Sequence, residues 1–293
     1  MTITAKWAAL THVGAVRDQN QDAVVDAPPV FAVADGMGGH AAGDVASQIA
    51  VRHLSAFAGA AGIDGESAIA ACRAANAEIL QRSRNTAELS GMGTTVAGLV
   101  LSRTPEGDGV LVFNAGDSRI YRAEPEGLRQ ISEDHSVVAE LVAAHEISEA
   151  EARVHPQRNV VTRVLGVEDD VVIDTWLLEA TAAAQRFLIC SDGLTNELTD
   201  GEIHSLVARG EPAACAQALV DAALAHGARD NVSVVVVDVS SDADASGYLD
   251  AETAPREALL AHVTPPSAAP VVAPVAADPP GLISDVPSFA RES

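Results

Sequence analysis

The stretch from Phe31 to Asp44 constrains the fold of this chain more than any other. An apolar run, Val30 to Ala34, has the composition of a buried strand and ends at a carboxylate, Asp35. Glycines at positions 36, 38 and 39 then let the backbone turn sharply before a helical pattern begins. An apolar strand that ends in an acidic, glycine-rich turn indicates either a metal site or a phosphate-binding loop.

The chain is strongly acidic, with 41 Asp and Glu against 18 Lys and Arg and a formal net charge of −23 at pH 7. A surface of this charge repels nucleic acid and anionic membranes, so neither is expected as the main partner. Divalent cations, in contrast, bind well to carboxylate oxygens. At 293 residues, 48% of them hydrophobic, the chain is long enough to bury a sizeable core.

Three cysteines, Cys72, Cys190 and Cys215, lie far apart in apolar surroundings. Their odd number and wide spacing indicate buried, reduced thiols of a cytosolic protein rather than a disulfide framework or a zinc site. The first residues lack the pattern of a signal peptide, and no run reaches the ~18 apolar residues of a membrane span. These features predict a cytoplasmic protein with no direct membrane insertion.

Hydrophobic periodicity predicts the main elements of the chain. Helical spacing marks residues 41–58 and 67–84, and four short strands follow between residues 91 and 131. The short turns between those four strands predict that they form one antiparallel sheet. Capping signals, among them Ser148 with Glu151, predict a small helical excursion at 136–160.

The composition of the chain changes near residue 240. Eight of its fourteen prolines lie beyond that point, where periodicity is weak. Residues 1–240 are therefore predicted to form one folded domain, and residues 241–293 a Pro/Ala-rich flexible tail.

Five aspartates stand beside predicted turns: Asp22, Asp35, Asp117, Asp192 and Asp230. A single aspartate in such a place is ordinarily a turn or cap residue. Three of the five, however, adjoin almost wholly apolar strands, and carboxylates gathered at one sheet edge repel one another unless cations lie among them. Oxygen ligands without a Cys/His set favour Mg²⁺ or Mn²⁺ over zinc. A phosphate held by such ions would also need an arginine, and Arg17 is the candidate.

Two further patterns are given other interpretations. Asp134-His-Ser136 has the letters of a hydrolase triad, but adjacent residues do not generally aim three side chains into a relay, so turn and capping roles are predicted. The glycines at 36–43 lack the Gly-Lys-Ser/Thr and Gly-x-Gly-x-x-Gly patterns of nucleotide-binding loops. An aspartate at the head of the turn would also repel phosphate in the absence of a metal.

The order of short motifs along residues 5–240 resembles that of the type 2C metal-dependent protein phosphatases in their bacterial form. Each motif is weak by itself, but eight in the family's order make a chance match implausible. They are Arg17…Asn20-Gln-Asp22, Val33-Ala-Asp-Gly-Met-Gly-Gly39, Gly93-Thr-Thr95, Gly116-Asp-Ser-Arg119, Asp134-His-Ser136, Asn159…Thr162-Arg-Val-Leu-Gly166, Cys190-Ser-Asp-Gly-Leu194 and Asp230-Asn231. The resemblance implies an α+β fold, a four-layer α/β/β/α sandwich of two antiparallel sheets flanked by helices.

The same resemblance implies which residues hold the ions. Asp35 would bridge two Mn²⁺ or Mg²⁺ ions, and the Gly36 carbonyl would bind one of them. Asp192 and Asp230 would complete the other. Asp117, together with Asp192, matches the position of a weaker third ion.

The resemblance also implies how substrate and proton are handled. Asp22 would hydrogen-bond a water on the metal, Arg17 would bind the phosphate, and the excursion at 136–160 would be a flap beside the active site. Animal members carry a histidine after the Asp-Gly pair that is proposed as the general acid. This chain has Met37 there, which has no proton to give, so the donor would be either water or His40.

The implied function is the hydrolysis of phosphoserine and phosphothreonine by metal-activated water. The partners would be phosphorylated proteins, made by bacterial serine/threonine kinases, and the enzyme would be a monomer. The alternative is a non-catalytic regulatory module of the same fold that binds a phosphorylated partner. Such a module would be expected to lose metal carboxylates, whereas this chain keeps Asp35, Asp192 and Asp230.

Overall fold

The structure is a computed structural model that describes residues 3–38, 42–60, 63–104 and 107–241, except for the side chains of 103, 104, 107 and 108. His40 and the predicted tail beyond Ser241 lie outside the described residues. The domain boundary expected near residue 240 stays a prediction.

The described residues form two sets of elements in chain order. The strands are β1 Ile3–His12, β2 Asp22–Ala27, β3 Val30–Met37, β4 Gly93–Thr94, β5 Val96–Thr104, β6 Gly107–Ala115, β7 Arg119–Glu124, β8 Gly127–Gln130, β9 Asp174–Glu179, β10 Gln185–Cys190 and β11 Val232–Ser241. The helices are α1 Ala42–Ser55, α2 Gly65–Asn85, α3 Val137–Ala143, α4 Glu149–Ala152, α5 Asp192–Thr195, α6 Asp200–Val207 and α7 Pro212–His226, with a short 3₁₀ helix at Ala87–Leu89.

Local sequence signals place many of these elements correctly. The helices expected at 41–58 and 67–84 correspond to α1 and α2, and the excursion at 136–160 contains α3 and α4. The predicted capping box forms at the start of α4, where Ser148 and Glu151 each accept a hydrogen bond from the other's backbone N–H. Capping depends on residues three positions apart, which is why the sequence alone reveals it.

Two antiparallel sheets make up the centre of the fold. One has the strand order β1-β11-β10-β7-β8, and the other has the order β2-β3-β5-β6-β9, with β4 paired to β3. The prediction that the four strands between residues 91 and 131 form one sheet is therefore wrong, since β5 and β6 belong to one sheet and β7 and β8 to the other. The chain changes sheets in the turn at 116–118, which contains Asp117.

Three hydrophobic cores separate four layers. The middle core lies between the sheets and contains Phe31 of β3, Val112 of β6 and Phe187 of β10. A second core packs α1 and α2 onto the outer face of the sheet that contains β3, and a third packs α6 and α7 onto the outer face of the other sheet. The expected α/β/β/α sandwich is thus confirmed.

The alternation of side chains along β3 determines where Asp35 is aimed. Ala32 and Ala34 contribute to the core beneath α1 and α2, whereas Phe31 and Val33 contribute to the core between the sheets. Successive side chains of a strand point to opposite faces, so Asp35 continues the second series. Its carboxylate therefore lies at the end of the layer between the two sheets.

The remaining expectations about the chain concern membranes and thiols. Among the described residues, no helix is both long and apolar enough to cross a membrane. The three cysteines are free and buried, as their apolar contexts predict. Burial raises the pKa of Cys72 and of Cys190 to about 12, so both remain thiols at neutral pH.

Candidate functional site

Asp22 and Asp35 lie directly opposite each other in the register of β2 and β3. Opposite residues on one face of an antiparallel pair have Cβ atoms about 4.5–5.5 Å apart, so two carboxylates here repel each other. Asp22 has only 4% of its surface exposed, and its Oδ2 accepts a hydrogen bond from Ser191 Oγ at 2.8 Å. Its Oδ1 has no hydrogen-bond partner among the described residues. A buried oxygen in this state would be satisfied by a cation or a water.

Asp192 and Asp230 reach the same edge of the sandwich from the other sheet. Asp192 follows β10 and Asp230 precedes β11, and these two strands are antiparallel neighbours. The end of one strand is therefore adjacent to the start of the other. The two groups are near Asp35, because the charges of Asp192 and Asp230 both raise the pKa of the Asp35 carboxyl. Gly193 permits the close packing here, because a Cβ on it would stand 1.9 Å from the Asn231 carbonyl oxygen.

Asp117 lies in the turn that joins the two sheets, and Thr95 connects this turn to Asp35. Thr95 Oγ1 accepts a hydrogen bond from Asp35 N at 3.0 Å and shares one with Ser118 Oγ at 2.8 Å. Gly116 has a φ of +126°, and a Cβ on it would stand 2.5 Å from Thr95 Cβ. Sequence reasoning gave Thr95 and Ser118 no role, and their place inside two of the family's motifs is the only signal that could have found them.

Burial raises the pKa of Asp22 and of Asp117 to about 7, and neighbouring carboxylates add to both shifts. It also raises the pKa of Asp35 well above its ordinary range, and the charges of all four other candidate aspartates raise it further. The pKa of Asp192 is raised by burial and then by the charge of Asp230. The structure therefore brings the five predicted carboxylates into one electrostatic cluster, which cations would stabilise.

The oxygen-rich composition of this cluster fits a hard divalent cation. Within the described ranges, no group of three or more His, Cys, Asp or Glu side chains has the spacing to hold a metal ion by itself. Mg²⁺ keeps several waters and is usually bound through only one or two carboxylates. An open carboxylate edge suits such a hydrated ion, whereas structural zinc requires four protein ligands.

Gly36 occupies a close approach between backbone segments. A Cβ on it would stand 2.2 Å from the Gly43 carbonyl oxygen and 2.5 Å from that of Gln21. The Gly36 N–H donates a hydrogen bond to the Gln21 carbonyl at 3.2 Å. Only glycine fits between these two segments. The prediction that the chain turns at Gly36 is wrong, because Gly36 and Met37 continue β3 and pair with Thr94 and Gly93 of β4.

Arg17 lies beside the cluster, where its Nη2 is 2.7 Å from Asp230 Oδ2. The two side chains are 54% and 37% exposed, so the guanidinium is accessible from solvent. Asn231 anchors the segment that carries Arg17, because its Oδ1 accepts from Gln21 N at 2.8 Å and its Nδ2 donates to the Gln19 carbonyl at 2.9 Å. An exposed guanidinium has the planar fork that matches two oxygens of a phosphate.

Of residues 134–136, Ser136 has the capping role predicted for it, whereas the side chains of Asp134 and His135 bind other partners. Asp134 Oδ2 accepts hydrogen bonds from Arg119 Nε and Nη2 at 2.9 and 2.7 Å. Ser136 caps α3, since its Oγ accepts from Ala139 N at 3.2 Å. The imidazole Nδ1 of His135 accepts a hydrogen bond from the backbone N–H of Gly116, in the turn at 116–118. The three side chains have separate partners and do not form a catalytic relay.

The fold and the site together define a class of protein: an α/β/β/α sandwich with a carboxylate-lined candidate site for divalent cations where its two sheets end. The sequence profile of the family described as protein phosphatase 2C matches residues 13–226. The chain belongs to this family.

Individual relatives agree with that assignment. Serine/threonine phosphatase stp of Listeria monocytogenes is 36% identical over 240 residues, which cover 78% of this chain and 93% of that protein. Serine/threonine protein phosphatase PstP of Mycobacterium tuberculosis is 36% identical over 247 residues, which cover 82% of this chain and 46% of that protein. A crystal structure of the catalytic domain of PstP in complex with two manganese ions has a TM-score of 0.72 and 34% identity, and the match covers 82% of this chain and 100% of that one.

Proposed function

We propose that this chain is a Mn²⁺- or Mg²⁺-dependent protein phosphatase that hydrolyses phosphoserine and phosphothreonine. The observation that carries the proposal is the electrostatic cluster of five aspartates around Asp35, with the exposed fork of Arg17 beside it. The names of the relatives in Listeria and Mycobacterium and the two manganese ions bound to PstP support the same activity.

In this proposal, Asp35 would contribute to holding two ions, and the Gly36 carbonyl would contribute to one of them. Asp192 and Asp230 would hold the other, and Asp117 would hold a weaker third ion together with Asp192. When bound, the two principal ions supply Lewis acidity that lowers the pKa of a water and neutralises charge on the phosphoryl oxygens. The raised pKa values of Asp35, Asp192 and Asp117 mean that ions and protons compete for the oxygens of these three residues.

The chain's own polar groups orient the reactants. Asp22 offers its Oδ1, which has no hydrogen-bond partner among the described residues, as an acceptor to a water on the ions. Arg17 has five N–H donors, of which its Nη2 contacts Asp230, and its fork matches two phosphate oxygens. The phosphorus–oxygen bond to the serine or threonine breaks as the water oxygen bonds to phosphorus, and the leaving oxygen takes up a proton from water or from His40.

The substrates that we propose are phosphoproteins made by bacterial serine/threonine kinases, and the setting is the cytoplasm. The strong negative charge disfavours nucleic acid as a partner, and the three buried free thiols suit a reducing compartment. We propose that the enzyme acts as a monomer, which sedimentation of the 30.1 kDa chain would test.

The decisive experiment measures phosphate release from a phosphothreonine peptide by the full chain, with Mn²⁺ and then with a chelator. We expect activity only with the metal and almost none in Asp35→Asn. Peptide binding without phosphate release would instead establish a non-catalytic module. Wild-type activity in folded Asp35→Asn would overturn the assignment of the ions to this edge.

The proton donor has its own test. If His40 protonates the leaving oxygen, His40→Ala removes the alkaline limb of the pH dependence of kcat. An unchanged profile would leave water as the donor.

A further inference from the structure

His135 connects three segments of the chain that are distant in sequence. It is buried, with 8% of its surface exposed. Its backbone N donates to the Gly116 carbonyl at 3.0 Å, and its backbone carbonyl accepts from Thr162 N at 2.8 Å. Its imidazole Nδ1 accepts from Gly116 N at 3.0 Å, and its Nε2 lies 2.9 Å from Asp174 Oδ2. The residue is thus bonded to the turn that contains Asp117, to the region after α4, and to β9.

The partners of the imidazole determine which nitrogen carries its proton. The Gly116 N–H can only donate, so Nδ1 must be the unprotonated nitrogen. Nε2 therefore carries the hydrogen and donates it to Asp174. Arg163 Nη1 lies 2.8 Å from Nε2 as well, but both groups are donors, and the hydrogen bond of Arg163 goes to Asp174 Oδ1 at 2.7 Å. Asp174 accepts from both side chains.

These bonds hold the two ends of residues 136–160 close together. We call these residues the flap segment. At its ends, Val137 N donates to the Val160 carbonyl at 2.9 Å, and Ser136 forms an isolated antiparallel bridge with Val161. His135 immediately precedes the flap segment and Arg163 follows it, and Asp174 of β9 binds both. One carboxylate therefore fixes the two ends of the segment to a strand of the sandwich.

We propose that His135 is a positioning residue of this phosphatase, joining the base of the flap segment to the Gly116–Asp117 turn so that the two are held in one arrangement. The effect of His135 on catalysis rests on the function proposed above. It assigns a purpose to Asp134-His-Ser136 beyond turn formation and capping. Gly116 lies between His135 on one side and Thr95 on the other, and Thr95 bonds to the backbone of Asp35.

Two substitutions separate the two imidazole bonds. An asparagine oxygen can replace Nδ1 and keep the bond from the Gly116 N–H, whereas a glutamine NH₂ can replace Nε2–H and keep the bond to Asp174. In the metal-free full chain, we expect His135→Gln to speed hydrogen exchange at the Gly116 amide by about fivefold or more, as the loss of one hydrogen bond implies. We expect His135→Asn to keep protection at Gly116 and to speed exchange at Val137 and Thr162. Amides of β11 should keep their wild-type rates in both variants.

Activity provides the second measurement. Because the Gly116–Asp117 turn is loosened only in His135→Gln, we expect this variant to need about tenfold more Mn²⁺ for half-maximal activity. His135→Asn should instead raise KM for a phosphopeptide while the Mn²⁺ requirement stays near that of the wild type. His53→Asn is the matched control, since this histidine pairs with Glu78 between α1 and α2. It should leave both the exchange rates and the metal requirement unchanged.

Two results would overturn the proposal. Wild-type exchange at Gly116, Val137 and Thr162 in both variants would mean that His135 does not hold these segments together. Equal acceleration throughout the chain, including β11, would mean that it serves general stability only. Inactivity of the wild-type chain with Mn²⁺ would overturn the proposed function and with it the catalytic meaning of His135. Hydrogen exchange is measured without metal or substrate. It therefore tests whether His135 joins the flap segment to the Gly116–Asp117 turn even if the chain is inactive.

Discussion

Asp22 and Asp35 lie directly opposite each other across the ladder of β2 and β3, with both side chains on the face that meets the other sheet. A cross-strand pair of like charges is destabilising, and burial adds to the cost of each charge. The strand register thus imposes a repulsion that a bound cation removes. In the proposed site, stability and metal binding would therefore depend on the same two residues.

Asp22→Asn should stabilise the metal-free protein and weaken metal binding. The substitution removes one of the two opposed carboxyls, and a gain of about 1 kcal/mol would raise Tm by about 2–4 °C in a domain of this size. Loss of the carboxylate near the ions should lower metal affinity or activity by about 10- to 100-fold. Calorimetry with chelator and a Mn²⁺ titration measure the two effects. Asp26→Asn, at an exposed position of the same strand, is the control and should change neither Tm nor metal affinity. A lower Tm for metal-free Asp22→Asn than for the wild type would refute the repulsion.

The raised pKa values of Asp22 and Asp117 predict how pH acts on the metal-free protein. Their folded-state pKa of about 7 lies above the ordinary value of 3.8, so the folded state binds more protons than the unfolded state between these values. The resulting stabilisation is present in full below pH 3.8 and is lost as pH rises through 7.

We therefore expect Tm of the chelator-treated protein to fall from about pH 6 to about pH 8, and Mn²⁺ to raise Tm more at the higher pH, where fewer protons compete. Thermal unfolding across this range measures both trends. Asp22→Asn should have a shallower slope than the wild type. A Mn²⁺ effect that is larger at the lower pH would contradict the prediction.

Arg17→Ala should raise KM for a phosphopeptide by about tenfold or more, because a hydrogen bond to a charged group contributes about 1.5–3 kcal/mol. Arg17→Lys should restore only part of this loss, since an ammonium group cannot contact two phosphate oxygens as a fork does. Steady-state kinetics in saturating Mn²⁺ separate KM from kcat. Arg84→Ala removes another exposed arginine, which pairs with Asp169, and it should behave like the wild type. Equal KM values for Arg17→Ala and Arg84→Ala would remove Arg17 from the phosphate site.

Thr95→Val should destabilise the protein and reduce its activity together. The substitution keeps the shape of the side chain but leaves the Asp35 N–H and the Ser118 hydroxyl without their shared partner, at a cost of about 1–3 kcal/mol. Thr95→Ser keeps the hydroxyl, so it should retain the activity and lose only packing. Urea unfolding and phosphate release measure the two properties. If valine and serine variants were equally active, the hydroxyl would have no part in holding Asp35.

The sequence by itself predicts those features that depend on neighbours in the chain. The capping box of Ser148 and Glu151 and the helices α1 and α2 are visible there, because capping and periodicity act over a few residues. Turn chemistry predicted less well, since Asp35 lies within β3 and not beside a turn. The order of the family's motifs adds the α/β/β/α class, which short-range patterns alone do not give.

The tertiary structure decides how distant segments meet. It divides the four strands after residue 91 between two sheets, sets Asp22 opposite Asp35, and pairs Arg17 with Asp230 across 213 positions of the chain. It also joins Thr95 to Ser118 and His135 to Asp174 by hydrogen bonds. No local sequence pattern predicts these bonds. Sheet partners and buried hydrogen bonds depend on which surfaces pack together, and local propensity does not determine that choice. The sequence therefore identifies the five carboxylates of the candidate site, whereas the register of β2 and β3 sets Asp22 against Asp35 and the packing of the two sheets brings the other carboxylates to them.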